Sequence, residues 1–452
     1  MTASTFLFEH AYLPEGWQRN VVVRLQNGII TSVGGPSDGA IRVKGAALPG
    51  LPNLHSHTFQ RGMAGLAERR GPSGDSFWTW REVMYRFLDK LTPDAVEAIA
   101  AMAMVEMLEA GFTSLAEFHY LHHAPDGRPY ADIAELAGRI VAAAGETGIG
   151  LTLLPVFYAH GGFGGQPAQP GQRRFISADI DAYRALRDAA GKAIRGLAGA
   201  VLGAAPHSLR AVTPEQLSAF QNAVPDGPIH IHIAEQMREV HDCLAWCGER
   251  PVQWLLNHAP VDQRWCLIHA THMLPEEIAG VVRSGAVAGL CPITEANLGD
   301  GVFAGVDFTR QGGLYGVGSD SNVEISASGE LRLFEYSQRL WHRGRNMLAE
   351  RQGASTGEAL YRAALAGGAQ ALAQPVGAIA AGKRADFVVL DTDHAAFVCG
   401  GPAHWLDAYL FNAGNRAIDR VMVGGVTLVE GGYHLKRQAV AARFAQCMAK
   451  LA

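Results

Sequence analysis

Leu51-Pro52-Asn53-Leu54-His55-Ser56-His57-Thr58-Phe59-Gln60-Arg61-Gly62 follows an apolar run and carries two histidines at spacing two. The stretch reads as a strand that ends and passes into a loop. Successive strand residues point to opposite faces, so His55 and His57 point the same way. Two neutral imidazoles on one face are the start of a transition-metal site, because such metals accept nitrogen ligands in fixed geometry. An isolated pair of this kind is more often a surface or packed pair. The question is therefore whether the remaining chain supplies further ligands.

Downstream of this stretch, apolar strand candidates alternate with helical segments. Strands read at 51–56, 113–118, 150–158, 200–205, 228–233, 265–269, 286–291 and 314–319, with helices such as 93–110, 132–146, 180–197 and 214–222 between them. Alternation of this kind marks a parallel α/β architecture, and eight strands predict an α/β fold of the (β/α)8 TIM-like barrel type over 50–380. The two ends of the chain have a different texture. Val21 to Leu25 and Ile29 to Val33 flank Asn27-Gly28, a strong hairpin signal, and β-rich runs return at 385–391 and 420–429. Both ends are expected to meet in one small β-sandwich domain, 1–49 with 381–435, followed by a C-terminal helix over 436–452. Gly161 to Gln172 reads as a long loop after the third strand, either a lid or a plain surface loop.

Composition narrows the class of partner. The formal net charge of −5, with no long run of either sign, argues against nucleic acid or a membrane surface and for a small substrate. No apolar stretch reaches the roughly 20 residues that span a bilayer. The first sixteen residues lack a basic segment leading into an apolar one, so a cytoplasmic protein is expected. Six cysteines fit reduced thiols; Cys266 and Cys291 read as core, and Cys243 with Cys247 as thiols rather than metal ligands.

Barrels of this type place their active sites at the carboxyl ends of the strands, and several strand candidates end in polar residues. His230-Ile231-His232-Ile233-Ala234-Glu235 puts His232 near the end of the fifth strand and Glu235 just beyond it. A histidine that holds an ion and a glutamate that moves protons make a sensible metal-hydrolase pairing. The sixth strand ends at His269, and the eighth passes into Ser319-Asp320-Ser321. Taken singly, these are a core histidine, a helix N-terminal glutamate and a helix-capping aspartate. Their recurrence on strands one, five, six and eight makes coincidence a poor explanation.

This set, with the opening Pro49-Gly50-Leu51-Pro52-Asn53-Leu54-His55-Ser56-His57 and the late run from Gly377 to Asp391, resembles the amidohydrolase superfamily over essentially the whole chain. It looks like the mononuclear-metal aminohydrolase branch. Two-metal members carry a bridging carboxylated lysine at the fourth strand, whereas here the nearest lysine, Lys192, is on the preceding helix. The resemblance implies that His55, His57, His232 and Asp320 hold one zinc or other divalent ion, that His269 and Asp320 orient and deprotonate a water, and that Glu235 passes a proton to the substrate nitrogen. The runs around Gln60, Ser76 to Glu82, Glu117 to His123 and Ala205 to Arg210 are similar to deiminases that act on a small anionic substrate with an amidine group. That likeness implies substrate contacts at Gln60, Arg81, Tyr120, His207 and Arg210, where guanidinium forks suit carboxylates. It also implies a homodimer. Two other readings stay open: a guanine or adenosine-type deaminase, for which Trp78 and Trp80 would serve as stacking walls, and a non-catalytic relative that binds partners. His119, His122 and His123 are too many for one role.

Overall fold

The computed structural model describes residues 3–70 and 76–451. The chain enters through β1 (Ala3–Leu13), β2 (Gly16–Gln26), β3 (Ile29–Val33) and β4 (Ile41–Pro49). Strands β2 and β3 form the expected hairpin, and Asn27 and Gly28 turn it at φ of 51° and 80°. That left-handed conformation follows the twist of the strands, and Asn and Gly adopt it with least strain. Strand β4 runs on through Gly50 into the barrel.

The barrel strands are β5 (Leu51–Ser56), β6 (Phe112–His119), β7 (Gly150–Phe157), β8 (Val201–Leu202) with β9 (Ala205–Pro206), β10 (Ile229–Ile233), β11 (Trp265–His269), β12 (Val287–Leu290) and β13 (Leu314–Val317). They pair in parallel as β5-β6-β7-β8 and β10-β11-β12-β13. Parallel bridges from Ala204 to Ile229 and Ser208 to His232 join the two arcs on one side, and a bridge from Ser56 to Asp320 joins them on the other. Strands so enclosed are buried on both faces, which is why they read as apolar runs rather than alternating ones.

One strand departs from expectation. The fourth, read as continuous over 200–205, is two short pieces separated at Gly203. A side chain there would meet Leu154 Cδ2 at 2.4 Å and the Pro228 carbonyl oxygen at 2.7 Å, so the backbone of the neighbouring arc closes directly onto the strand.

Helices wrap the barrel where capping signals start them. Thr92 and Pro93 open Pro93–Glu109, Asp179 caps Ile180–Ala193, and Thr213 with Pro214 opens Pro214–Ala223, in each case with the cap side chain accepting a backbone N–H of the first turn. Pro93–Glu109 is alanine- and methionine-rich around most of its circumference because the barrel covers one face and the C-terminal helix Arg437–Leu451 packs on it from outside.

At the other end of the chain come β14 (Phe387–Leu390), β15 (Ile418–Val423), β16 (Val426–Glu430) and β17 (Tyr433–His434). Antiparallel pairing of β14 with β4, Phe387 opposite Pro49, unites the two ends in one eight-stranded sheet. The sheet folds over its own core of Phe8, Val23, Ile30, Phe387 and Val389, and the Ile30 N–H donates to the Lys383 carbonyl at 2.8 Å across the fold. This is the small β-sandwich. Arg384 ties it to the barrel, donating from Nη2 to Ser114 Oγ and Asp386 Oδ2, each at 2.7 Å, and from Nη1 to Gln374 Oε1 at 2.8 Å. No helix among the described residues is long and apolar enough to cross a membrane.

Helix Thr356–Leu372 lies so close to β13 that a Cβ on Gly367 would sit 2.0 Å from the Tyr315 carbonyl oxygen, whereas a Cβ on Gly138, within Glu135–Thr147, would meet nothing within 4 Å. Gly367→Ala should therefore destabilise the protein by about 2–3 kcal/mol through overpacking against backbone. Gly138→Ala should be neutral or stabilise by up to about 1 kcal/mol through helix propensity. Thermal and denaturant midpoints of the two variants check this; equal midpoints would refute the close packing.

Candidate active site

The carboxyl ends of β5, β10 and β13 bring His55, His57, His232 and Asp320 together, with one donor atom of each within 4.8 Å of all the others. Closure of the barrel positions them. The Asp320 N–H donates to the His55 carbonyl and the His57 N–H to the Asp320 carbonyl, both at 3.0 Å. The loop after His57 is anchored on β6, where Glu117 accepts the Thr58 N–H at 2.9 Å and the Thr58 hydroxyl at 2.7 Å. Asn322 donates to Ser56 Oγ at 3.0 Å and to the His57 carbonyl at 3.1 Å, pinning the eighth strand end to the first.

The donor set fits a transition-metal ion. A backbone carbonyl can only accept, so His57 Nδ1, 3.1 Å from the Phe118 oxygen, and His232 Nδ1, 3.1 Å from the His207 oxygen, carry their rings' protons. Both rings then turn an Nε2 lone pair inward. His232 Nε2 lies 3.1 Å from His55 Nε2, and Asp320 Oδ1 lies 3.5 Å from His55 Nε2 and 3.4 Å from His57 Nε2. Burial, with neighbouring imidazoles, pushes the pKa of His55 and His232 well below the ordinary value, and burial takes His57 down to about 3. Three neutral imidazoles and one carboxylate, converging with lone pairs toward a common point, are the ligands a divalent zinc-type ion takes.

Beside this group stand His269 and Glu235. His269 Nε2 is 3.8 Å from Asp320 Oδ2 and 3.7 Å from Glu235 Oε1, and Nδ1 is 3.2 Å from Glu295 Oε1. Burial opposes its charge, but Glu235, Glu295 and Asp320 outweigh burial and raise its pKa. Glu235 moves the same way, to about 7, chiefly because burial disfavours its carboxylate and against the pull of His269. Ala234, His269 and Asp320 have φ of 50°, 66° and 42°. Non-glycine residues in that region are strained, and such strain gathers at functional sites.

The cavity above the group encloses about 570 Å³ of free space continuous with solvent, and the expected substrate residues Gln60, Arg81, Tyr120, His207 and Arg210 all line it. Gln60 donates to the Tyr120 hydroxyl at 2.9 Å, and its Oε1 is buried without a partner among the described residues. Nε of Arg210 is likewise buried and unpartnered. Arg81 comes from helix Phe77–Leu88 and lies over the Trp78 ring at 4.5 Å. Trp80 lines the cavity, whereas Trp78 is held between Arg81 and Arg238, each 4.5 Å from its ring.

Sequence reading missed Tyr85, Met84, Tyr158 and Phe175, which line the walls together with Thr294 and Leu298, and Glu295 behind His269. The aromatic residues sit in runs that look like ordinary core. Glu295 had a readable signal, since polar residues also follow the seventh strand. Of the three unranked histidines, His122 and His123 bind the Val156 and Ile176 carbonyls through Nε2, and none of the three lines the cavity. The 161–172 loop folds back on itself through Gly161 and Gln166, and its last residue, Gln172, donates to the Tyr158 hydroxyl at 2.7 Å.

Comparisons with known proteins agree with this architecture. The chain is 53% identical over 452 residues to formimidoylglutamate deiminase of Pseudomonas aeruginosa, with 99% of each chain covered. It is 30% identical over 400 residues to 8-oxoguanine deaminase of the same species, covering 85% of this chain and 82% of that one. The crystal structure of an amidohydrolase from Brucella melitensis superposes with a TM-score of 0.95 at 50% identity, covering 99% of each chain. A model of the amidohydrolase family matches residues 46–428, from within β4 to within β16, and a match that spans the whole barrel makes the chain a member of the amidohydrolase family.

Proposed function

We propose that the chain is a metal-dependent deiminase that hydrolyses N-formimidoyl-L-glutamate to N-formyl-L-glutamate and ammonia. The observation that carries this reading is the pair of guanidinium groups, Arg81 and Arg210, lining the same cavity as the His232 and Asp320 ligands. A substrate with two carboxylates and an amidine answers both ends of that cavity: the arginines take the carboxylates as charge-assisted, two-pronged contacts, and the amidine reaches the ligand group. The unpaired Gln60 Oε1 suits an amidine N–H. In the same reading the enzyme is a cytoplasmic homodimer of the histidine-degradation route.

His55, His57, His232 and Asp320 would hold one zinc ion per chain, with another divalent metal as the alternative. When bound, such an ion supplies Lewis acidity that brings the pKa of a water to about 7. Asp320 divides its carboxylate, with Oδ1 toward His55 and His57 and Oδ2 toward His269. His269 and Oδ2 would therefore orient the attacking water, and Oδ2 would take its proton. Glu235, raised toward neutrality by burial, hands protons to the amidine nitrogen. The water oxygen bonds to the formimidoyl carbon, the bond from that carbon to the terminal nitrogen breaks, and both water protons end on the departing ammonia.

Purified enzyme should release ammonia from formimidoylglutamate and none from guanine; release from guanine alone would overturn the substrate assignment. Treatment with a chelator should abolish turnover and added zinc restore it. A folded, metal-free protein that zinc cannot activate would favour the non-catalytic relative.

Glu235→Gln should keep the metal and lower kcat at least about 100-fold, the ordinary contribution of a positioned proton carrier. Unchanged turnover would remove Glu235 from the proton step. Arg210→Ala should act on binding instead, raising KM by about 10- to 100-fold as charge-assisted contacts of about 1.5–3 kcal/mol are lost. An unmoved KM would mark Arg210 as structural.

A further inference from the structure

The seventh barrel strand, β12, is followed by Cys291-Pro292-Ile293-Thr294-Glu295-Ala296-Asn297-Leu298-Gly299-Asp300, a segment with no part in the steps above. Its turn of helix, Pro292–Leu298, carries Glu295 to the back of the His269 ring. Nδ1 of His269 donates to Glu295 Oε1 at 3.2 Å, while Nε2 on the opposite edge faces Asp320 and Glu235. The same Glu295 oxygen accepts the Cys291 N–H at 2.9 Å, so the carboxylate is fixed to the backbone at the end of β12. Both side chains are enclosed, Glu295 at 5% exposure and His269 at 1%.

The segment is also tied to the chain that follows His269. The Asp300 N–H donates to the Glu295 carbonyl, and His272 Nε2 donates to the Asp300 carbonyl, each at 2.9 Å. His269 and Ala270 have φ of 66° and 47°, so the ring stands on backbone that relaxes unless something holds it. A carboxylate that takes one ring N–H of a histidine fixes both the tautomer and the direction of the other nitrogen.

We infer that Glu295 is a positioning residue for the proposed hydrolysis: by accepting the Nδ1 proton of His269 it sets the edge of the ring that faces Asp320 and Glu235. The inference rests on the hydrolase reading of the site for its kinetic consequence, but the hydrogen bond itself is open to direct observation.

Glu295→Gln keeps the volume and an oxygen for the Cys291 N–H while removing the charge. In the zinc-loaded variant kcat should fall about 10- to 100-fold, as for other loss of outer partners of catalytic histidines, with KM within twofold and the metal content and melting midpoint retained. Glu295→Asp, which keeps the charge, should recover part of the loss. A remote buried carboxylate serves as control: Glu277 binds Arg250 and the backbone of Gln253 and Leu274, so Glu277→Gln should lower the melting midpoint and leave kcat alone. Nitrogen-15 histidine spectra of the wild type should show a strongly hydrogen-bonded Nδ1–H for His269 that Glu295→Gln, with a neutral acceptor, weakens. Kinetics are taken on whichever substrate the wild type deaminates, so failure on formimidoylglutamate counts against the substrate assignment alone. A Glu295→Gln variant with more than half the wild-type kcat, or a wild-type spectrum without that Nδ1–H, overturns the role of Glu295.

Discussion

Everything in this molecule's site depends on how the first and eighth barrel strands meet. The contact is made by backbone: Asp320 N–H to the His55 carbonyl and His57 N–H to the Asp320 carbonyl. It is possible only because residue 318 is glycine, since a Cβ there would fall 2.6 Å from the His55 carbonyl oxygen and 2.8 Å from the His55 nitrogen. The approach is what places an imidazole from each side of the His55-Ser56-His57 step within reach of the Asp320 carboxylate. The cost is backbone strain at Asp320 and Asn322, with φ of 42° and 55°, and the hydrogen bonds of Asn322, Asn53 and Ser319 hold that strain in place.

The metal group was legible in the sequence because its chemistry conflicts with its surroundings. A histidine at the end of an apolar strand is out of place unless it does something, and His55, His57, His232 and His269 each break such a run. The barrel itself was legible for a different reason: doubly buried strands are unmistakably apolar. Where site and surroundings agree in character, the signal vanishes. Tyr158 and Phe175 line the cavity yet look like core, and Met84 and Tyr85 belong to a helix outside the barrel whose relation to the mouth has no local signature. Glu295 is an intermediate case: it follows the seventh strand as the other polar residues follow theirs, but it lies in the first turn of a short helix, where an acid is also ordinary. His119, His122 and His123 are the opposite case, a conspicuous cluster away from the cavity in which His122 and His123 bind backbone carbonyls and His119 packs edge-on against His122. The fourth strand broke at Gly203 because contact with another arc of the barrel, not local propensity, decides that backbone.

Charge of both signs is concentrated at the cavity. Glu235 and Asp320 line it together with Arg81 and Arg210, and the buried carboxylates Glu239, Glu295 and Asp300 lie behind them, with Arg210 the electrostatic partner of Glu239 and Glu235. Burying so many carboxylates is costly even with Arg210 and His269 among them, and so is burying a guanidinium whose Nε finds no acceptor. Folding alone gives no reason to keep either arrangement. A cation placed among the carboxylates and imidazoles, and an anion placed against the arginines, each relieve a penalty that the bare protein carries.

The two arginines are nevertheless held in different ways. Arg210 follows β9 directly and shares its segment with His207, whose carbonyl receives the ring proton of the metal-group residue His232. Its position is thus set by the same strands that set the ligands. Arg81 stands on helix Phe77–Leu88, outside the barrel strands, and its guanidinium rests on Trp78, which Arg238 also contacts at 4.5 Å. Arg238 lies three residues beyond Glu235, at the start of helix Met237–Cys247. The outer wall of the cavity is consequently braced against the very segment that carries Glu235. Distance along the chain between Arg81 and Glu235 conceals that link, and only the stacking of two cations on one indole reveals it.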